Sequence, residues 1–303
     1  MTAVVTVTLN PAIDQTLSIP GFAVGQVNRV VESRSDAGGK GVNVASFLAD
    51  LGVDVITTGL LGSDNAAPFE SLFLRKQIED RFVRIAGSTR VGIKIVDGHQ
   101  TTDINFPGLS PTADDLAELN DRILALAEPG RWFVLSGSVP PGVPSGIYAS
   151  MIDSIHGKGG CVALDTSGPA LREALASRPE VVKPNVGELS ELIGGEPSDV
   201  VAAARALGVG RVAVSMGEAG AVFVDGDSAL RARPPKVPVR STVGAGDAMV
   251  AGLVYGMIRE LPLEEAARFA TASGAYAVTR VGSGIEDPDE HRTLMSRVEI
   301  ERL

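Results

Sequence analysis

The sequence predicts an α/β fold, a three-layer sandwich with a mostly parallel central sheet and a small β-sheet lid. Three observations predict it. From about residue 110 onward, short apolar runs alternate with stretches of helical periodicity. Before that point several segments alternate polar with apolar residues, as half-exposed strands do. Glycine-rich junctions at Gly38–Gly41 and Gly244–Gly246 each lead into a helical pattern, where a backbone can come close to a ligand.

The elements follow in order. Val4 to Leu9 is β-branched and apolar and stops at Asn10-Pro11, which reads as a buried strand and a turn. Alternation over Gln15 to Ile19 and Val27 to Ser35, interrupted by Gly21 and Gly25, predicts antiparallel strands. The period then changes: Val44, Phe47, Leu48 and Leu51 recur at helical spacing. Val53 to Thr58 predicts a strand, and Asn65 is placed to cap a helix whose Phe69, Leu72, Phe73 and Lys76 share a face. Thr89 to Val96 and Thr101 to Phe106 read as short strands around Asp97-Gly98.

Beyond residue 110, strands are predicted at Trp132 to Leu135, Cys161 to Leu164, Val181 to Lys183, Arg211 to Ser215 and Ala221 to Val224. Helices are predicted at Asp114 to Leu126, around Ile147 to Ile155, and at Leu171 to Ala176, Gly187 to Ile193 and Val200 to Leu207. Two long helices, Ala245 to Glu260 and Leu263 to Thr279, close the chain. Apolar strands alternating with helices need cover on both sheet faces, and ligands in such folds gather at the carboxyl ends of the strands. The whole of 1–303 forms one domain, with the early alternating strands, about 12–35 and 88–107, set apart as the lid. The apolar face of that lid needs cover, which a second subunit would supply, so a homodimer through the lid is expected.

With 44% apolar residues and a net charge of −10, the chain has an ample core and disfavours nucleic acid and anionic membranes as partners. No basic start is followed by a signal-length apolar stretch, and no eighteen-residue apolar window occurs, so the expected location is cytoplasmic. The single cysteine, Cys161, excludes an intramolecular disulfide and reads as a buried, inert thiol. Three histidines and one cysteine make a zinc site a poor expectation.

Chemistry concentrates in a few stretches. In Ser241-Thr242-Val243-Gly244-Ala245-Gly246-Asp247, small residues lead into a helix whose amino-terminal N–H groups form an anion site. A phosphoryl group in flight carries charge on its equatorial oxygens, and Asp247 would take the proton of the attacking hydroxyl. A plain glycine turn with a helix-starting aspartate fits the same residues. Gly38-Gly39-Lys40-Gly41-Val42-Asn43 permits tight packing over a polyol, with Asn43 bridging hydroxyls. It lacks the phosphate-loop spacing. Asn185 and Glu188, in Lys183-Pro184-Asn185-Val186-Gly187-Glu188, suit a water-bridged magnesium beside ATP, and equally a helix capping box. The run Ser215-Met216-Gly217-Glu218-Ala219-Gly220 suits a nucleotide border or an ordinary hairpin. Arg29, Lys40, Arg90 and Lys94 bring positive charge to the lid, Asp14 could hold sugar hydroxyls, and Ser138 follows a strand where a substrate phosphate could sit.

Together these stretches resemble the phosphofructokinase-B branch of the ribokinase-like sugar kinases, over about 4–285. The resemblance implies a ribokinase-like fold, with Asp247 as base and Gly244, Ala245 and Gly246 as anion hole. It implies sugar contacts from Asp14, Gly38, Gly39, Lys40 and Asn43. Arg90 and Ser138 match substrate-phosphate positions, and Arg29 matches one contributed across the dimer. It implies ATP contacts from Lys183, Asn185, Ser215, Met216, Gly217, Glu218, Ala219, Gly220 and Gly246, and a water-mediated magnesium at Glu188 and Asn185. Within the branch, Thr8 to Asp14, Gly25 to Asn28 and Thr102 to Phe106 are similar to members that convert fructose 1-phosphate and ATP to fructose 1,6-bisphosphate and ADP. Fructose 6-phosphate, tagatose 6-phosphate and a non-catalytic sugar-phosphate sensor are the alternatives. Ser241 stands where many ribokinase-like kinases carry aspartate, which favours a phosphosugar acceptor.

Overall fold

The computed structural model describes residues 3–98 and 100–303. The chain opens with β1 (Val4–Thr8), β2 (Ala12–Ser18), β3 (Glu32–Gly38), α1 (Lys40–Asp50) and β4 (Val55–Gly62). Next come α2 (Ala67–Lys76), β5 (Glu79–Asp80), β6 (Val83–Ile85), β7 (Arg90–Asp97), β8 (Gln100–Asn105) and α3 (Ala113–Leu126). The middle of the chain supplies β9 (Trp132–Ser136), α4 (Ile147–His156), β10 (Cys161–Asp165), α5 (Gly168–Ala174), β11 (Val181–Val182), α6 (Val186–Ile193) and α7 (Val200–Ala206). It ends with β12 (Arg211–Ser215), β13 (Ala221–Asp225), β14 (Ser228–Arg233), α8 (Ala245–Ile258), α9 (Leu263–Val278), α10 (Pro288–Ser296) and β15 (Glu299–Arg302).

The large sheet runs β15-β14-β13-β12-β11-β10-β9-β1-β4-β5, with β6 also on β4. Every pair from β12 to β5 is parallel, while β12–β13, β13–β14 and β14–β15 are antiparallel. Its central strands are buried on both faces, as their uninterrupted apolar runs require. On one face Val4, Val134, Ala163 and Val181 pack with α1, α2, α8 and α9. On the other, Val5, Val7, Phe133, Leu135, Val162 and Leu164 pack with α3, α4 and α5. The two long helices α8 and α9 approach closely: a Cβ at Gly252 would lie 2.7 Å from Ala270 Cα.

A separate four-stranded sheet runs β3-β2-β7-β8, with β2 and β7 parallel and the outer pairs antiparallel. Strand β8 is exposed along its whole length.

Four expectations are corrected. The strand expected from Val27 begins only at Glu32: a turn precedes it, closed by the Asn28 side chain on Ala23 and Gln26, and Val27 is 87% exposed. Asn65 does not cap α2. It lies in a short 3-10 turn, and its amide instead pairs with the Thr89 backbone at 2.7 and 2.9 Å. The chain does not close on α9, because α10 and β15 follow, and β15 completes the edge of the large sheet. Cys161 is half-buried at the start of β10 rather than fully buried, and burial pushes its thiol pKa up, with Glu180 adding to the shift.

Candidate active site

Asp165 and Ser215 end the parallel strands β10 and β12, and Ser138, Lys183 and Asn185 lie just past the ends of β9 and β11, while the two glycine-rich stretches follow β3 of the small sheet and the antiparallel β14. Gly244, at φ +79, turns the chain into α8, and no side chain caps that helix. The left-handed backbone there suits glycine, and the uncapped start leaves N–H groups free for an anion. Asp247 follows in the first turn and is 6% exposed. Asn43, in the first turn of α1, donates from Nδ2 to Asp247 Oδ2 across 2.7 Å. Burial pushes the Asp247 pKa up to about 6, and the nearby Asp165 carboxylate adds to the rise. The Asn43 hydrogen bond, Lys40 and Lys183 oppose it.

Two lysines reach this point from different directions. Lys40 Nζ lies 3.3 Å from Asp165 Oδ2, and Lys183 Nζ lies 3.2 Å from Asp165 Oδ1. Asp165 ends β10 and is only 1% exposed. Burial pulls the Lys40 ammonium down, but Asp165, Asp247 and Glu188 together hold it above its ordinary value. Lys183 lies against the glycine loop, its Nζ 3.4 Å from where a Cβ on Gly246 would be.

The small sheet contributes a second polar group. Asp14 on β2 pairs with Lys94 on β7 at 3.0 Å. Gly38, at the end of β3, leaves room for that carboxylate: a Cβ there would lie 2.7 Å from Asp14 Oδ2. Gly39 is the residue immediately before α1. Arg90 donates to Asn10 O at 3.3 Å, and Asn10 Nδ2 donates to Ser138 Oγ at 3.1 Å. Arg90 and Ser138 are thus linked through one residue. Burial pulls the Arg90 pKa down, with Asp14 opposing. Arg29 is exposed on the β2–β3 connection and makes no hydrogen bond or ion pair among the described residues.

Beyond β11, Asn185 and Glu188 form a capping box on α6, each side chain accepting from the other's backbone N–H at 2.8 Å. The capping alternative therefore holds, and Glu188 keeps its second carboxylate oxygen for other partners. Ser215 N donates to Pro184 O at 3.0 Å, which ties the turn after β12 to this segment. Met216 N closes the turn on Gly220 O at 2.8 Å, and Gly217, Glu218 and Ala219 form its exposed 3-10 rim. Among the described residues, no group of three or more His, Cys, Asp or Glu side chains is placed to hold a metal ion.

Residues 3–290 match the pfkB family carbohydrate kinases. The chain belongs to that family. It is 47% identical over 309 residues to the 1-phosphofructokinase of Rhodobacter capsulatus, covering 99% of this chain and 98% of that one. It is 40% identical over 307 residues to the 1-phosphofructokinase of Vibrio cholerae, covering 99% and 97%. The crystal structure of phosphofructokinase-2 from Escherichia coli in complex with fructose-6-phosphate superposes with a TM-score of 0.91 at 30% identity, covering 98% of this chain and 99% of that one.

In this pfkB family kinase, Asp165 is the site residue that the sequence reading passed over. Its one signal is position, as the aspartate ending the apolar run Cys161-Val162-Ala163-Leu164 at the carboxyl edge of a parallel sheet. No described helix is long and apolar enough to cross a membrane.

Proposed function

We propose that this kinase transfers the γ-phosphoryl group of ATP to the 6-hydroxyl of fructose 1-phosphate, giving fructose 1,6-bisphosphate and ADP. The observation that carries the reading is Asp247: buried, oriented by Asn43 at 2.7 Å and seated in the first turn of an uncapped helix. The two relatives called 1-phosphofructokinase, at 47% and 40% identity over nearly the whole chain, support the acceptor.

Asp247 accepts the proton of the 6-hydroxyl as O6 bonds to the γ-phosphorus and the bridge to the β-phosphate breaks. With a pKa near 6 it is ionised at neutral pH, yet basic enough to hold the proton it takes. The N–H groups of Gly244, Ala245 and Gly246 receive the charge on the transferred group. Asp14 and Asn43 orient the sugar, while Arg90 and Ser138 hold its 1-phosphate. Lys183 and the 215–220 turn border ATP. Magnesium, when bound with ATP, neutralises phosphate charge. No protein cage of ligands occurs among the described residues, so Glu188, with one carboxylate oxygen outside its capping box, would hold the ion through water, as magnesium commonly keeps several waters.

The small sheet serves as a lid that excludes water, which limits ATP hydrolysis. A homodimer through this sheet is supported by exposed apolar residues on and beside it: Ile104 on β8 and Phe106 just past it, and Val24, 91% exposed, with Val27 and Val31 on the β2–β3 connection. Arg29, which makes no hydrogen bond or ion pair among the described residues, would then serve the neighbouring subunit's site. Phosphorus NMR of the product tests the reaction. A hexose carrying phosphates on C1 and C6 is expected; a product phosphorylated elsewhere contradicts it.

A further inference from the structure

Asp165 lies outside the machinery just assigned, yet it is the most buried charged group in the site. It is 1% exposed, and its two carboxylate oxygens face two different lysines, at 3.3 and 3.2 Å. The three residues come from the end of β10, the start of α1 and the segment after β11. Lys183 is itself 5% exposed. A buried ammonium without a partner is costly, so Lys183 needs a carboxylate close by, while the half-exposed Lys40 shares the same one. Three carboxylates lie within electrostatic reach of Lys40, those of Asp165, Asp247 and Glu188, and Asp247 is also within reach of Lys183. The lysines contact Asp165; Asp247 Oδ2 is held instead by the neutral amide of Asn43.

We propose that Asp165 is a positioning residue that holds the ammonium groups of Lys40 and Lys183 beside the Gly244–Asp247 loop and keeps them off Asp247. This rests on the reading of Asp247 as the base. A base locked in an ion pair with lysine is a weak base, because the pair favours the charged carboxylate. Asp165 prevents that in two ways. It occupies the lysines, leaving them available to the phosphoryl oxygens, and its own negative charge raises the proton affinity of Asp247. The groups facing Asp247 are Asp165 from β10, Lys40 and Asn43 from α1, and Lys183 after β11; Glu188 of α6 acts on Lys40.

The arrangement makes predictions of opposite sign. Removing the Asp165 charge lowers the Asp247 pKa, while removing a lysine raises it. The experiment compares pH profiles of kcat/KM for the full chain and its Asp165→Asn, Lys40→Met and Asp247→Ala variants, with thermal melts as a folding check. For Asp165→Asn the acid limb moves down by about half a unit or more, and kcat falls about a hundredfold as the lysines lose their place. For Lys40→Met the limb moves up. A folded Asp165→Asn protein whose limb stays in place overturns the proposal. So does an unmoved limb in Lys40→Met, which decides the matter if Asp165→Asn does not fold. Asp247→Ala separates the two failures. Its inactivity with unmoved limbs in the other variants sinks the role of Asp165 alone, whereas retained turnover sinks the reading of the base and this proposal with it.

Discussion

Asn43 Nδ2 donates to Asp247 Oδ2 across 2.7 Å, joining residues 204 positions apart at the starts of two packed helices, α1 and α8. A neutral amide holding a buried carboxylate fixes its direction without a cation's stronger pull on its pKa. The pairing ties the two glycine-rich junctions into one site.

The pH dependence follows from it. Activity requires ionised Asp247, so kcat/KM for the sugar substrate falls as pH drops through about 6. The Asn43 hydrogen bond lowers that pKa, so Asn43→Leu moves the acid limb to higher pH. A pH series of initial rates checks both; a limb moving to lower pH in the variant contradicts the assignment.

Asp247 is held at the expense of stability. Its folded pKa, about 6, lies above the ordinary 3.8, so its contribution is fully present below pH 3.8 and is lost as pH rises through about 6. At neutral pH the ionised, buried carboxylate costs on the order of 1–3 kcal/mol. Asp247→Asn is expected to raise the thermal midpoint at neutral pH while abolishing most turnover, and to lose that advantage toward pH 4. Calorimetry at both pH values is the check, and a variant less stable than the parent at neutral pH contradicts it.

Gly38 tests the sugar side. A Cβ there meets Asp14 Oδ2 at 2.7 Å, so Gly38→Ala must displace the carboxylate from its place beside Lys94. The expected result is a KM for the sugar phosphate raised about tenfold or more, with the KM for ATP little changed. Equal effects on both constants would point to a general disturbance instead.

Gly252 tests the packing that supports the base. Gly252→Ala places a methyl 2.7 Å from Ala270 Cα between α8 and α9, which costs about 1–3 kcal/mol as overpacking. Urea unfolding measures it, and an unchanged midpoint would show that the helix pair has room to spare.

Much of this was legible in the sequence because the signals are local. The runs at β1, β9 and β10 are apolar without interruption, as strands buried on both faces must be. The glycine junctions before α1 and α8 announce themselves. The elements that escaped have weak patterns. Strand β15 is an edge strand of exposed and half-buried residues, and α10 buries only His291 and Leu294 in a polar sequence. Asn65 looked like a cap because its local spacing allows one; its actual partner, Thr89, lies 24 residues away. Asp165 could not be found locally either, since its partner Lys40 lies 125 residues earlier and no motif links them.

The most direct test of the central claim is ADP release by the purified protein with magnesium and ATP, comparing fructose 1-phosphate, fructose 6-phosphate, tagatose 6-phosphate and fructose. The account predicts a kcat/KM for fructose 1-phosphate about tenfold or more above the others. A preference for a 6-phosphate would contradict the assigned acceptor, and no turnover with any of the four would contradict the proposed reaction.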